Sequence, residues 1–366
     1  MKKSPAETRF DEGLLIAYLG VLIIGIVMVY SSSSIIAESR YGSHLYFFKS
    51  QFVWALMSLG AIFLILKLDL QRLAIYSVPA LLLTMIALLA VFVMPARNEA
   101  QRWLMLGPLT VQPSEFFKFL LIVFLAFSLS NPKRNIADVR QLIMPYAPII
   151  GVGLGLILLQ PNLGTVLVAG ITALGIFFLA GARIRHLLTA GLPLVGTALL
   201  VIFVIGYKKA RVMSHLAAVS DPLTGSYQVK QSALTLGAGG LMGTGLGEGT
   251  QKLWFLPYPY TDFIFAAAGQ EIGFVGLLVV LGALLYIIYR GCKIAAGQPD
   301  KFGFLLAAGL TWSLFVNIAI NIGMVTAILP VTGIALPFIS YGGSSLLVSS
   351  AAIGVLLNLS RRVTVR

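Results

Sequence analysis

An all-α integral membrane protein crossing the bilayer about ten times is the fold class this sequence predicts, and three observations carry it. Of its 366 residues, 58% are hydrophobic and only 11% charged, against roughly a quarter charged in a soluble domain. The apolar residues gather into long runs of about the 17–25 residues that span a hydrocarbon core. Lysine and arginine collect in alternate connections, the asymmetry that orients membrane helices.

In order, the runs are Leu14–Tyr30, Phe52–Leu66, Ile75–Met94, Phe116–Leu129, Leu142–Leu159, Leu163–Ala180, Leu187–Tyr207, Phe263–Tyr289, Phe304–Leu329 and Pro337–Leu359. In lipid each must close its own backbone hydrogen bonds, so each is expected as a helix. The first has the basic flank of a signal peptide (Lys2, Lys3, Arg9), but no small-residue cleavage pattern follows it, and it reads as an uncleaved span. The fourth is short and contains Lys118, which suggests a half-helix enclosed by protein. Two irregular outside loops are expected, 95–112 and a large extracytoplasmic one at 207–261. One polytopic domain, 1–366, accounts for the chain, with no repeat at a fixed period and no soluble domain.

With the N-terminus in the cytoplasm, the inner connections hold Lys2, Lys3, Arg9, Lys67, Arg72, Lys133, Arg134, Arg140, Arg183, Arg185, Arg290, Lys293, Lys301, Arg361, Arg362 and Arg366, most of the 26 basic residues. The short outer connections hold Arg40, Lys49, Arg97 and Arg102. This predicts an N-in, C-in protein. The net charge of +13 then reflects topology and contact with anionic membrane lipids, and not nucleic acid. The lone Cys292 can form neither an internal disulfide nor a cysteine metal site. His44, His186 and His215 are too scattered for a histidine site.

Chemistry is expected on the outer side, where loops of length are held by a rigid scaffold. The long loop carries Lys208, Lys209, Arg211, Lys230 and Lys252 against Asp221, Glu248 and the adjoining Asp262, with a glycine cluster from Gly237 to Gly249. Basic side chains beside exposed amides suit a phosphate or diphosphate; a connector lying on lipid headgroups explains them equally well. Asp262 has two readings, a catalytic carboxylate or a stabiliser of the helix that starts beside it. Glu115 and Lys118 are one turn apart, so Lys118 meets either its neighbour or a diphosphate. Arg102 suits bidentate phosphate contact or a headgroup anchor. Glu271, several turns into its run, suggests hydrogen bonding within the bundle. The small residues from Ser340 to Ser345 suggest close packing, or substrate lining by Ser344 or Ser345.

Six segments then resemble one family: Gln101-Arg-Trp-Leu, Gln112-Pro-Ser-Glu-Phe-Phe-Lys118, Gln160-Pro-Asn-Leu-Gly164, Gly225-Ser-Tyr-Gln-Val-Lys-Gln-Ser232, Thr261-Asp-Phe-Ile-Phe-Ala266 and Leu336-Pro-Phe-Ile-Ser-Tyr-Gly-Gly-Ser-Ser-Leu346. They look like the signatures of the SEDS family, in family order. The resemblance implies a ten-helix peptidoglycan glycosyltransferase that polymerises lipid II outside the bacterial cytoplasmic membrane. Asp262 would be catalytic, and Arg102, Glu115, Lys118, Lys230, Gln231, Ser344 and Ser345 would bind substrate. Gln160, Asn162 and Glu271 would be structural.

The segments Leu336–Leu346 and Gln251–Pro257 resemble the cell-division and sporulation branches more than the elongation branch, whereas Gly249-Thr-Gln251 leans toward elongation; the cell-division type is expected, with an elongation or a sporulation polymerase as the alternative within the family. Implied partners are a cognate class B penicillin-binding protein, a transpeptidase, and other divisome proteins. No organic cofactor is expected. A divalent cation (Mg2+ or Mn2+) suits diphosphate chemistry, but its ligands cannot be named, because Asn162 stands where an aspartate is usual, Gln270 replaces an acid, and Tyr258-Pro-Tyr260 takes the place of a common acidic residue.

The chemistry itself asks for little. Joining a sugar carbon bound to diphosphate to an acceptor hydroxyl needs a base near the hydroxyl and cationic help for the leaving group, and diphosphate leaves without a second carboxylic acid. Rivals from other classes are a lipid II flippase and a scaffold without chemistry of its own. The basic loop ending at Asp262 favours the enzyme.

Overall fold

Asp11 opens the first helix: its Oδ1 accepts the amide of Leu14 at 2.9 Å, and α1 runs from Glu12 to Tyr41 before Gly42 ends it in the left-handed conformation. The run predicted to stop at Tyr30 continues because Ser31, Ser32 and Ser33 turn into the bundle, where they are buried. Hydropathy undercounts such residues. The computed structural model describes residues 10–95, 101–107, 109–134, 138, 144–204, 206, 209–218, 225–249 and 255–363. Lys2, Lys3, Arg9, Arg97, Arg140, Lys208, Asp221, Lys252 and Arg366 lie outside them, as do 251–254 of the Gln251–Pro257 segment.

The helices that follow are α2 (Tyr46–Lys67), α3 (Leu70–Ile75), α4 (Ser77–Ala90, with a 3-10 turn at Val91–Val93), α5 (Pro113–Leu129), α6 (Ala147–Leu159), α7 (Leu163–Leu179) and α8 (Ile184–Leu199, extended by a π turn over Leu200–Val204). After them come α9 (Lys209–Ala218), α10 (Tyr227–Gly239), α11 (Ile264–Ala296), α12 (Lys301–Val325) and α13 (Gly343–Ser360). A short hairpin, β1 (Leu104–Leu106) and β2 (Leu109–Val111), precedes α5, with Leu104 opposite Val111.

By length and composition α1, α2, α11, α12, α13 and α8 with its π turn can each cross a membrane, and 77–93, α6 and α7 are shorter apolar helices. Large apolar side chains such as Ile16, Leu64, Leu83, Leu188 and Val279 cover the outside of the bundle, each at least 65% exposed. Water would not tolerate that surface, and lipid does. The chain is an all-α, multi-pass membrane protein.

Several boundaries depart from the sequence reading. The second helix starts at Tyr46, before Phe52, and the fifth at Ala147. The third run begins as two helices: Asp69 caps α3 through the Gln71 amide, and Pro79, which has no N–H to give, is accommodated in the first turn of α4. The fourth is a full helix of 17 residues. The tenth begins at Gly343 and not Pro337, since 326–342 is irregular, with Ala327, Gly333 and Phe338 at positive φ. The loop expected to be irregular at 207–261 contains α9 and α10, and that at 95–112 contains the hairpin.

Two close approaches set the packing. α2 lies along α13 because Gly343 leaves room for the Trp54 ring, and a Cβ on Gly354 would sit 3.2 Å from the Ile62 backbone. α11 is two helices joined at Gly273, whose φ of 69° and ψ of −177° are not helical. Buried apolar side chains from Leu14 to Leu359 form one continuous core around these elements.

Candidate functional site

The amide ladder of α11 starts at Phe263, whose carbonyl accepts from Ala266 and Ala267 at 3.0 and 3.1 Å. Asp262 therefore sits one residue outside the helix, and the N-cap, Phe263, makes no side-chain cap. Asp262 Oδ2 lies 3.4 Å from where a Cβ on Gly333 would be, so the carboxylate lies against the irregular 326–342 segment. The backbone leading to it is held at three successive carbonyls. Tyr260 accepts from the Tyr341 amide at 2.9 Å, Thr261 from Ser340 Oγ at 2.7 Å and Asp262 from Asn321 Nδ2 at 3.0 Å. Beside it the Tyr260 ring packs on Phe47 and Tyr341. Burial raises the Tyr260 phenol above its ordinary pKa, with Arg40 opposing, so it stays neutral.

One turn along α12 from Asn321, Asn317 lines a small cleft between α5, α12 and α13 with Ser313, Ser349, Glu115 and Lys118. Lys118 Nζ is 2.9 Å from Glu115 Oε1. The ion pair expected from the spacing is thus formed, and the cleft it lines reaches Asn317, one turn along α12 from the Asn321 that bonds the Asp262 carbonyl. Ser344 Oγ accepts the amide of Gln112 at 2.9 Å, tying the start of α13 to the start of α5. Ser345, on the next position of α13, is half-buried.

Arg102 is placed differently from expectation. Its guanidinium donates to the carbonyls of Gln160, at 3.1 Å, and Pro161, where the turn from α6 to α7 leaves carbonyls without helical partners. Gln160 in turn donates to the Leu88 carbonyl of α4 at 2.9 Å. Asn162 Oδ1 accepts the Thr165 amide and caps α7. An N-cap takes asparagine or aspartate equally well, which accounts for the asparagine. Lys230 is exposed on α10, and Gln231 is half-buried beside it.

The glycine cluster is not an anion cradle. Within it the amides of Gly243, Thr244 and Gly245 donate to the carbonyls of Gly239, Gln270 and Glu271 at 2.8, 2.9 and 3.0 Å, while Gly240 and Leu241 accept from Phe274 and Val275 at 3.0 and 3.1 Å. These bonds complete both ends of the break in α11. Glycine is required for that approach: a Cβ on Gly239 would collide with the Gly269 carbonyl, and one on Gly243 with that of Glu271. The Glu271 carboxylate is buried at the same level, accepting from Ser31 Oγ at 2.6 and 2.7 Å and from the Gly247 amide at 3.2 Å. These contacts are of the kind that the structural reading expects.

Among the described residues no three His, Cys, Asp or Glu side chains meet to hold a metal. The residues that sequence reasoning missed are Asn317 and Asn321. Two asparagines at i and i+4 inside an apolar run are a signal that could have found them.

Comparison with known proteins gives three findings. A family model described as cell cycle protein, for FtsW, RodA and SpoVE, matches residues 12–365. The chain is 36% identical over 358 residues to a probable peptidoglycan glycosyltransferase FtsW of Geobacter sulfurreducens, covering 97% of this chain and 96% of that protein. It is 39% identical over 359 residues to stage V sporulation protein E of Bacillus subtilis, covering 97% and 98%. Among solved structures, a chain from a peptidoglycan synthase complex that coordinates polymerization and crosslinking superposes with a TM-score of 0.78 at 29% identity, covering 96% of this chain and 98% of that one. The rod shape determining protein RodA of Thermus thermophilus does so at 0.73 and 28%, covering 98% and 99%.

Proposed function

The chain belongs to the FtsW, RodA and SpoVE family of cell cycle proteins, and on that footing we propose that it is a peptidoglycan glycosyltransferase of the FtsW type. It polymerises lipid II at the outer face of the bacterial cytoplasmic membrane during cell division. Ten spans with both termini inside put α9, α10 and Asp262 on the outer side. The observation that carries the reading is the position of Asp262: outside any helix, held by its backbone, and close along α12 to the Glu115–Lys118 cleft.

The Asp262 carboxylate takes the proton of the acceptor hydroxyl as its oxygen attacks the donor sugar carbon. The bond from that carbon to the diphosphate breaks with inversion, and the electron pair leaves on the diphosphate. Lys118 has three N–H donors, of which the ion pair engages one, so its ammonium supplies cationic help for the leaving group. On the family resemblance, Lys230 and Gln231 of α10 and Ser345 of α13 contribute to substrate binding. Among the described residues no three His, Cys, Asp or Glu side chains gather as a donor set for a divalent cation, and the base and the ammonium carry the reaction as written. The cognate class B penicillin-binding protein crosslinks the strands made here, a pairing in keeping with the polymerization and crosslinking complex that this chain resembles.

A flippase would draw support from the interrupted α11 and the buried Glu271, features that transporters use to hold substrates or ions. Here the chain's own glycine segment completes the break, so the interruption favours no transport reading. The test is gel analysis of lipid II products made by the purified protein, with and without the transpeptidase. Asp262→Asn should insert and fold normally and make no glycan. Wild-type synthesis by that variant would sink the assignment.

A further inference from the structure

We propose that Asn321 and Ser340 are positioning residues for Asp262, fixing the base through its backbone; the inference rests on the role of Asp262 given for the enzyme. Asp262 needs such fixing from elsewhere, because the helical ladder of α11 begins one residue after it. Asn321 is fully buried and its Nδ2 donates twice, to the Asp262 carbonyl at 3.0 Å and the Ile334 carbonyl at 2.7 Å. With carbonyls on both sides of that atom the amide orientation is decided, since only the nitrogen can donate.

Ser340 acts in the same way from the other side. Its Oγ donates to the Thr261 carbonyl at 2.7 Å and accepts the Leu336 amide at 2.8 Å. Gln51 of α2 donates to the Ser340 carbonyl at 3.3 Å, so the holder is itself held. The two side chains thus join the 261–262 peptides to α12 and to the 326–342 segment, at sequence separations of 59 and 79 residues. Gly333, from the segment bonded at Ile334, bounds the carboxylate. The arrangement restrains the base where its own helix cannot.

A base must come within about 2.6–3.2 Å of the oxygen whose proton it takes, and misplacement by an ångström costs up to roughly a hundredfold in rate. Loosening the clamp should therefore lower turnover and leave substrate affinity alone. The experiment measures kcat and KM for lipid II polymerisation by the full chain in nanodiscs, with its transpeptidase present. Ser340→Ala and Asn321→Asp should each lose about ten- to hundredfold in kcat, with KM within about twofold. Ser340→Thr, which keeps the hydroxyl, should recover most of the loss. Wild-type kcat in Ser340→Ala, or a raised KM in place of a lowered kcat, overturns the proposal. If Asn321→Asp does not fold, the Ser340 pair decides. Asp262→Asn run alongside separates the two questions: its full activity would remove the base itself, whereas an inactive Asp262→Asn with a fully active Ser340→Ala would remove only the clamp.

Discussion

The ammonium of Lys118 lies 2.9 Å from a carboxylate oxygen of Glu115, one turn away on the same helix, and both side chains are almost enclosed. Removing one member strands the other charge in a low-dielectric cleft, at about 3–5 kcal/mol. Lys118→Ala and Glu115→Ala should each lower the thermal unfolding midpoint markedly, and Glu115→Gln with Lys118→Met should recover most of it. The charge swap Glu115→Lys with Lys118→Glu should fold yet make no glycan, because it brings a carboxylate toward the diphosphate. Restored synthesis in the swapped protein would reduce the pair to a structural one.

Arg102 gives a second prediction, of a different kind from the one its motif suggests. Its guanidinium is bonded to the Gln160–Pro161 turn, and lysine cannot reproduce a fork with two carbonyls. Arg102→Lys should lose about 1–2 kcal/mol of stability, with KM for lipid II little changed. An unchanged unfolding midpoint with a higher KM would restore direct phosphate contact.

The glycines divide into those that the break in α11 needs and those it does not. Gly273 has a backbone conformation open almost only to glycine, worth about 1–3 kcal/mol in strain for another residue, and an added Cβ would also strike the Gly243 amide. Gly273→Ala and Gly243→Ala should yield little folded protein, as judged by size-exclusion profiles in detergent. Gly237 lies inside α10 with open space around it, so Gly237→Ala should be tolerated or add up to about 1 kcal/mol.

Orientation can be checked independently of activity. In a Cys292→Ser background, Lys230→Cys should label with an impermeant maleimide in intact spheroplasts, and Arg185→Cys should label only after lysis. Labelling of Arg185→Cys in intact cells would invert the topology and remove the chemistry from the outer face.

Much of this was legible because hydropathy is a property of composition within a window. The apolar helical character, the Glu115–Lys118 pair at one-turn spacing and the place of Asp262 at a helix boundary all follow from neighbours in sequence. The break at Gly273 does not, since apolar residues continue on both sides of it and a window sees one run. Nor do the bonds from Asn321 and Ser340, whose partners lie 59 and 79 residues away. The glycine cluster is ambiguous in sequence for a related reason: an amide that could bind an anion and one that completes a helix have the same sequence, and only the Gln270 and Glu271 carbonyls opposite tell them apart.

The bonds between 240–245 and the interrupted helix also bear on how the protein is made. Residues 240–245 leave the ribosome before residues 270–275, so the strand that completes the break is present when the broken helix enters the membrane. Were the order reversed, two pairs of peptide groups would wait in lipid without partners, each costing several kcal/mol. The same tether limits what the outer segment can do once folded. Its waist is fastened to α11, and any swing during a catalytic cycle must be confined to stretches on either side, α9 among them.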